Sequence, residues 1–288
     1  MRRITPYLLI APFFLLFAVF GVYPLLYTGW VSLHDWHLIG GHQFVGLANY
    51  TGLLSDPDFW NAMANTGGIF VLATVPQLLL ALWLASLLNR GLRARTALRM
   101  GILLPNVTSV AAVGIVFAQL YSRDFGLVNW LLGLAGAGPV DWQGSRAGSW
   151  LAIATMVDWR WTGYNALIFL AAMQAVPRDL YEAAAIDGAS RSRQFWRITV
   201  PLLRPTIVFT VIISTIGGLQ LFTEPLMFGN GKMLGGSLGQ FQTVAMYMYE
   251  TAFQRFQYGY GSAIAWTLFL VIAAVAGVNA LLVRRAAR

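Results

Sequence analysis

Six apolar stretches limit what this chain can fold into: roughly residues 7–33, 61–89, 99–121, 149–173, 203–222 and 261–283. A helix needs about 20 apolar residues to cross a hydrocarbon layer about 30 Å thick. Within that layer the backbone must satisfy its own hydrogen bonds, so the stretches predict helices. Composition agrees: 58% hydrophobic and 10% charged residues leave too little charge to cover a soluble domain of 288 residues. The reading is an all-α, polytopic membrane protein, one domain over 1–288, with six transmembrane helices and both termini on one side. The first stretch follows Arg2 and Arg3 as a signal peptide would, but it is too long and reaches Trp30 without a convincing cleavage site. It is read as a span.

Arginine sets the orientation. One side collects Arg2, Arg3, Arg90, Arg93, Arg95, Arg99, Arg178, Arg191, Arg193, Arg197, Arg204, Arg284, Arg285 and Arg288; the other has Arg123, Arg146, Lys232 and Arg255. The basic side is expected to be cytoplasmic. The net charge of +8 is then topological and no sign of nucleic-acid binding. With no cysteine, disulfides, thiol catalysis and cysteine-ligated metals are excluded. The outward loops, about 34–60, 123–148 and 224–260, are too small for separate domains. The third contains Gly229, Gly231, Gly235, Gly236 and Gly239, which suit a mobile or re-entrant segment and equally a plain flexible loop.

Between the fourth and fifth stretches lies EAAAIDGASRSRQFWRITVPLLRP, residues 182–205. Leu180 to Asp187 are good helix formers, and Ala183, Ala184 and Ala185 add almost no bulk. Gly188 suits the left-handed residue that stops a helix, and Ser190 is a natural N-cap for a second helix through Phe195, Trp196 and Ile198. Pro201 and Pro205 punctuate the entry to the next apolar run. The four arginines from Arg191 to Arg204 hold this helix-turn-helix in water or at headgroups.

The segment resembles the EAA loop of ABC-importer permeases, E-A-A-x-x-D-G-A followed by F-x-x-I-x-x-P-x-x-x-P. Glu182, Ala183, Ala184, Asp187, Gly188, Ala189, Phe195, Ile198, Pro201 and Pro205 fall on that pattern. The resemblance implies that a loop over 174–205 lies on the cytoplasmic face and docks into a groove of an ATPase subunit.

The remaining chemistry is sparse. No phosphate-binding G-x-x-x-x-G-K-[ST] occurs, since Gly231-Lys232 runs on to Met233, so the energy for any transport must come from elsewhere. Apart from Arg99 and Arg204 at the very starts of theirs, only Asp158 and Arg160 sit inside a stretch, both read as near its outer end, which disfavours an ion-coupled carrier. His34, His37 and His42 are read as interfacial polar residues and not as a metal site. Asp35, Asp56, Asp58, Asp124, Asp141, Glu224 and Glu250 are scattered over different loops, which does not suit an enzyme. Asp158, Trp161 and Asn165 fall on one helical face, beside Trp159, Arg160 and Tyr164. Gly217, Gln220 and Glu224 are expected to share another, with Phe222 nearby. Aromatic faces with amides and carboxylates suit sugars, although an interfacial aromatic belt with helix-helix hydrogen bonds gives the same pattern.

Over essentially its whole length the chain is similar to the maltose/glycerol-3-phosphate-type carbohydrate permeases, in its layout of spans, its EAA loop and the segment Gly217-Gly218-Leu219-Gln220-Leu221-Phe222-Thr223-Glu224-Pro225. The Asp158 to Asn165 cluster is similar to permeases for disaccharides such as cellobiose. The resemblance implies a multi-pass cell-membrane permease subunit, no enzyme itself, forming half of a path for a di- or oligosaccharide. Its implied partners are a second homologous permease, two ATPase subunits that bind the ATP, an extracytoplasmic solute-binding protein and membrane lipid. Glycerol phosphodiesters or polyols are the alternative solutes, and a non-transporting scaffold or enzyme is the alternative class.

Overall fold

The computed structural model describes residues 5–37, 40–90 and 94–286; Arg2, Arg3, Arg93 and Arg288, counted above toward the basic side, lie outside these. Helix α1 (Thr5–Phe17) continues through one π turn (Ala18–Val22) into α2 (Tyr23–Val31). A short hairpin, β1 (His34–Trp36) and β2 (His42–Phe44), leads to α3 (Ala48–Leu54) and the long α4 (Pro57–Leu88). Then come α5 (Arg95–Val107), α6 (Val110–Leu120), α7 (Leu127–Leu134), α8 (Arg146–Gln174) and α9 (Arg178–Ile186). After these follow α10 (Arg191–Gln194), a π turn (Phe195–Thr199), α11 (Val200–Leu202), α12 (Arg204–Leu219) and α13 (Thr223–Phe228). The chain closes with α14 (Val244–Tyr249), a π turn (Glu250–Gln254) and α15 (Tyr258–Ala286).

Among the described residues three helical segments are long and apolar enough to cross a membrane, Leu9–Val31, Pro57–Leu88 and Tyr258–Asn279, or up to five if each of two bent pairs is one span. The third expected stretch corresponds to the first pair, and the fifth to the second half of the other pair, whose first half belongs to the loop segment before it. Arg95–Val107 and Val110–Leu120 meet at 88°, and Arg191–Leu202 and Arg204–Leu219 at 67°. At the first bend Thr108 and Ser109 are extended, with ψ of 144° and 125°, so the helical ladder cannot pass through them. At the second, Pro201 and Pro205 each lack a backbone donor. Helix α8 is long enough at 29 residues, but its middle is too polar to count by composition.

The chain forms two compact units. The first, residues 1–60 with 244–270, contains the antiparallel hairpin, which pairs His34 with Phe44 and Trp36 with His42. Trp30, His34, Trp36 and His42 stack against one another, and His34 Nδ1 lies 2.8 Å from the Trp30 carbonyl. Asp56 begins α4 in the way a capping residue should: its Oδ1 accepts from the Asp58 N–H, and Pro57 follows where no donor is needed. Its Oδ2 accepts from the Tyr247 and Tyr260 hydroxyls at 2.5 and 2.7 Å, tying this cap to α14 and α15.

The second unit, residues 61–243 with 271–288, is built around α8. At one end of α8, small residues of α4, Ala81 and Ala85, pack against Ala166, Phe169, Leu170 and Met173. Toward the other end Ile69, Ile153, Val157, Phe228 and Phe241 form a second cluster. Small residues let helices approach where lipid supplies no hydrophobic drive. Gly163 does so most closely, since a Cβ there would stand 1.7 Å from the Ile102 carbonyl oxygen of α5. The glycine segment 229–239 is tied down rather than free. Its Gly239 carbonyl accepts from Asn61 and Asn65 Nδ2 at 2.8 and 2.7 Å, and the adjoining Gln240 carbonyl accepts from Trp150 Nε1 at 3.2 Å.

Candidate functional site

Helix α12 stops at Leu219, and after three intervening residues the chain restarts as α13. Gln220 and Phe222 have non-helical backbones (φ −102°, ψ 15° and φ −132°, ψ −57°), and the Leu221 carbonyl accepts from the Thr243 hydroxyl at 2.7 Å. The expected shared face of Gly217, Gln220 and Glu224 on one helix is therefore corrected. A break separates them, held by a side chain from outside the helix. The break nevertheless brings them to one place. A cavity of about 440 Å³ is walled by Gly217, Gln220, Phe222 and Glu224, by Trp161, Tyr164 and Asn165 of α8, by Thr74 and Gln77 of α4, and by Ser214 of α12.

Six of the seven residues singled out in sequence for a sugar path thus line one space; Asp158 does not, and Val157 takes the wall position beside it. Asp158 Oδ1 is buried with no hydrogen-bond partner among the described residues. Trp161 and Tyr164 meet edge to face at 5.8 Å, and Asn165 Nδ2 donates to Ser214 Oγ at 3.4 Å. Gln77, Thr74 and Ser214 escaped the sequence reading. Their signal was modest: a lone amide or hydroxyl inside an apolar stretch, with Gln77 only 3% exposed.

Arg160 is the other correction. It sits halfway along α8 and not toward an end, and its Nη1 donates to Glu224 Oε1 at 2.6 Å, both side chains being about nine-tenths buried. The pairing explains how a cation is tolerated there, because an unpaired charge would carry its full desolvation cost. Its guanidinium lies 5.9 Å from the centre of the Trp161 ring.

The helix-turn-helix segment has its own geometry. Helix α9 carries Glu182, Ala183 and Ala184 and ends at Ile186, with Asp187 as its C-cap; Gly188 takes φ +73°, and the Ser190 hydroxyl accepts from the Arg193 N–H at 3.3 Å. Glu182, Ala183, Ile186, Asp187 and Gly188 are exposed, Ile186 at 87%, while Ala184, Ala189, Phe195, Ile198 and Pro201 are half-buried. The second helix is not regular as expected. Pro201 cannot donate to the Arg197 carbonyl, and the preceding turn widens so that the Val200 N–H reaches the Phe195 carbonyl. The Tyr181 and Thr199 hydroxyls, 2.9 Å apart, clamp the two halves.

Residues 77–288 match the family described as binding-protein-dependent transport system inner membrane component. The arabinooligosaccharides transport system permease protein AraP of Halalkalibacterium halodurans is 36% identical over 94% of this chain and 85% of its own length. The lactose transport system permease protein LacF of Rhizobium radiobacter is 36% identical over 94% and 91%, and the trehalose/maltose transport system permease protein MalF of Thermococcus litoralis 34% over 92% and 89%. Among solved structures, a chain of a bacterial alginate ABC transporter, in complex with its alginate pentasaccharide-bound periplasmic protein, superposes with a TM-score of 0.84 at 21% identity, covering 100% of this chain and 96% of that one. Such proteins are transport permeases of the membrane, not enzymes. This chain belongs to the binding-protein-dependent transport system inner membrane component family.

Proposed function

We propose that the chain is one of two permease subunits of an ATP-driven importer of di- or oligosaccharides, with the cavity between α4, α8, α12 and α13 as its part of the sugar path. The observation that carries this is the cavity's wall, where the aromatic faces of Trp161, Tyr164 and Phe222 stand beside the amides of Gln77, Asn165 and Gln220 and the carboxylate of Glu224. Aromatic rings cover the C–H faces of a sugar while amides and carboxylates bond its hydroxyls. The named substrates of the relatives, arabinooligosaccharides, lactose and trehalose/maltose, belong to this chemical class.

In this reading the chain crosses the membrane six times, the polar-centred α8 being the sixth crossing, with both termini cytoplasmic. The segment 178–202 docks on an ATPase subunit through the exposed side of α9 and the Gly188 turn. ATP is bound by that partner, the sugar is delivered by an extracytoplasmic binding protein, and a second homologous permease completes the path. ATPase closure pulls the docked segment and rocks the helices, opening the cavity alternately to the two sides. Asn165→Ala or Gln220→Ala removes one hydrogen bond to a neutral ligand, worth about 0.5–1.5 kcal/mol, or up to about tenfold in affinity. Uptake by the reconstituted importer should fall by that order while complex yield holds. Parental uptake at all sugar concentrations in both variants would remove the cavity from the path.

A further inference from the structure

The charges around the cavity bear on which saccharides it takes. Glu224 is the one formally charged residue in the wall among the described residues; the other polar groups there are amides, hydroxyls and aromatic rings. Arg160 is the nearby cation, but it is buried behind the wall, and its Nη1 is engaged by Glu224 Oε1 at 2.6 Å. The pair therefore cancels in net charge, with its anionic member toward the cavity. We infer that the cavity is built to accept uncharged saccharides and to reject acidic ones, with the Arg160–Glu224 pair as the determinant; this rests on the reading of the cavity as the sugar path.

The physical argument is one of unequal consequences. A neutral sugar offers hydroxyl donors to the remaining lone pairs of Glu224 and to Gln77, Asn165 and Gln220, and no charge has to move. A uronate brings a second negative charge close to the same carboxylate in a medium that screens far less than water. To neutralise it, Arg160 would have to move out from behind the wall, where its Nη1 holds Glu224 Oε1, and weakening that bond leaves a buried carboxylate short of its partner. Both routes oppose binding of the acid, and neither touches the neutral sugar.

The test uses the assembled permease–ATPase complex without the binding protein, so that selection outside the membrane does not enter. Binding of lactose, maltose, trehalose and cellobiose is compared with that of the same disaccharides oxidised at C6 to uronates, by calorimetry. At least one neutral sugar should bind, with its uronate weaker by about tenfold or more. Glu224→Gln should shrink or reverse that ratio, because it leaves Arg160 uncompensated. Should that variant fail to assemble, the double variant Arg160→Gln with Glu224→Gln, which restores neutrality, should still narrow the gap. A uronate that binds the parental complex as tightly as its neutral counterpart overturns the charge inference and leaves the sugar path standing. A ratio unchanged in the variants overturns the pair's role. If no saccharide of either kind binds, the sugar path fails and the inference with it.

Discussion

Gly163→Ala tests whether the crossing of α5 on α8 is as tight as the backbone makes it. The added Cβ would stand 1.7 Å from the Ile102 carbonyl oxygen and 2.6 Å from its carbonyl carbon, where ordinary contact begins at 3.4 Å. Both obstacles are backbone, so no rotamer change relieves them and one helix must move by about 1.5 Å, with loss of the dispersion contacts around it. Overpacking of this kind costs about 1–3 kcal/mol, and the absence of a side chain that can yield puts the expectation at the upper end. Helix propensity favours alanine over glycine by about 1 kcal/mol, which offsets only part of this. Gly101→Ala is the control, one residue before Ile102 on the same α5, where nothing lies within 4 Å of the new methyl group. In detergent-purified complex, Gly163→Ala should lower Tm and yield well below the parent, whereas Gly101→Ala should leave them equal or raise them. If the two variants melt together, α5 and α8 are not in backbone contact at Gly163, and the wall of the cavity that α8 carries is positioned by something else.

Three further outcomes are expected. Cysteines introduced at Ser192 and Ser55 of this cysteine-free chain should react with an impermeant reagent in intact cells only at Ser55; labelling at Ser192 would reverse the orientation. Gly188→Val forces a branched side chain into φ +73° at an exposed turn with nothing within 4 Å of its Cβ, so it should stop uptake and ATPase stimulation while insertion persists, and normal stimulation would end the docking role. Burial pushes the Asp56 carboxyl up, but the Tyr247 and Tyr260 hydroxyls and the Asp58 and Phe59 N–H groups together hold it below its ordinary 3.8. A depressed carboxylate stabilises the fold above that value and loses the contribution as pH falls through its folded pKa, so Asp56→Asn should lower Tm at neutral pH and converge with the parent in acid; equal melting at pH 7 would refute the tie.

Much of the local structure was legible because it is set by short-range chemistry. Gly188 and Ser190 are read in sequence as a left-handed stop and an N-cap, and they occupy those positions because no other nearby residue meets either need as cheaply. The apolar stretches were equally plain as helices. Their straightness was not, because hydropathy averages over a window and is blind to one or two residues that leave helical geometry. Thr108 and Ser109 bend α5 from α6 while the stretch as a whole stays apolar enough for a span.

The same blindness hid the construction of the cavity. Spacing put Gln220 and Glu224 on one helical face, and it also put Asp158 with Trp161 and Asn165, since a period of 3.6 is all that spacing can test. The outcome depended on two long-range contacts. Thr243, 22 residues beyond Leu221, holds the carbonyl at the break open to a side chain instead of a helical N–H, and Glu224, 64 residues from Arg160, decides where that guanidinium points. Non-helical backbone at membrane depth is tolerated only where it is buried in protein or borders a cavity. The unwound Gln220–Phe222 fits that pattern: it borders the cavity and its Leu221 carbonyl is taken up by the Thr243 hydroxyl, whereas an unbroken helix would carry Gln220 and Glu224 along a single face.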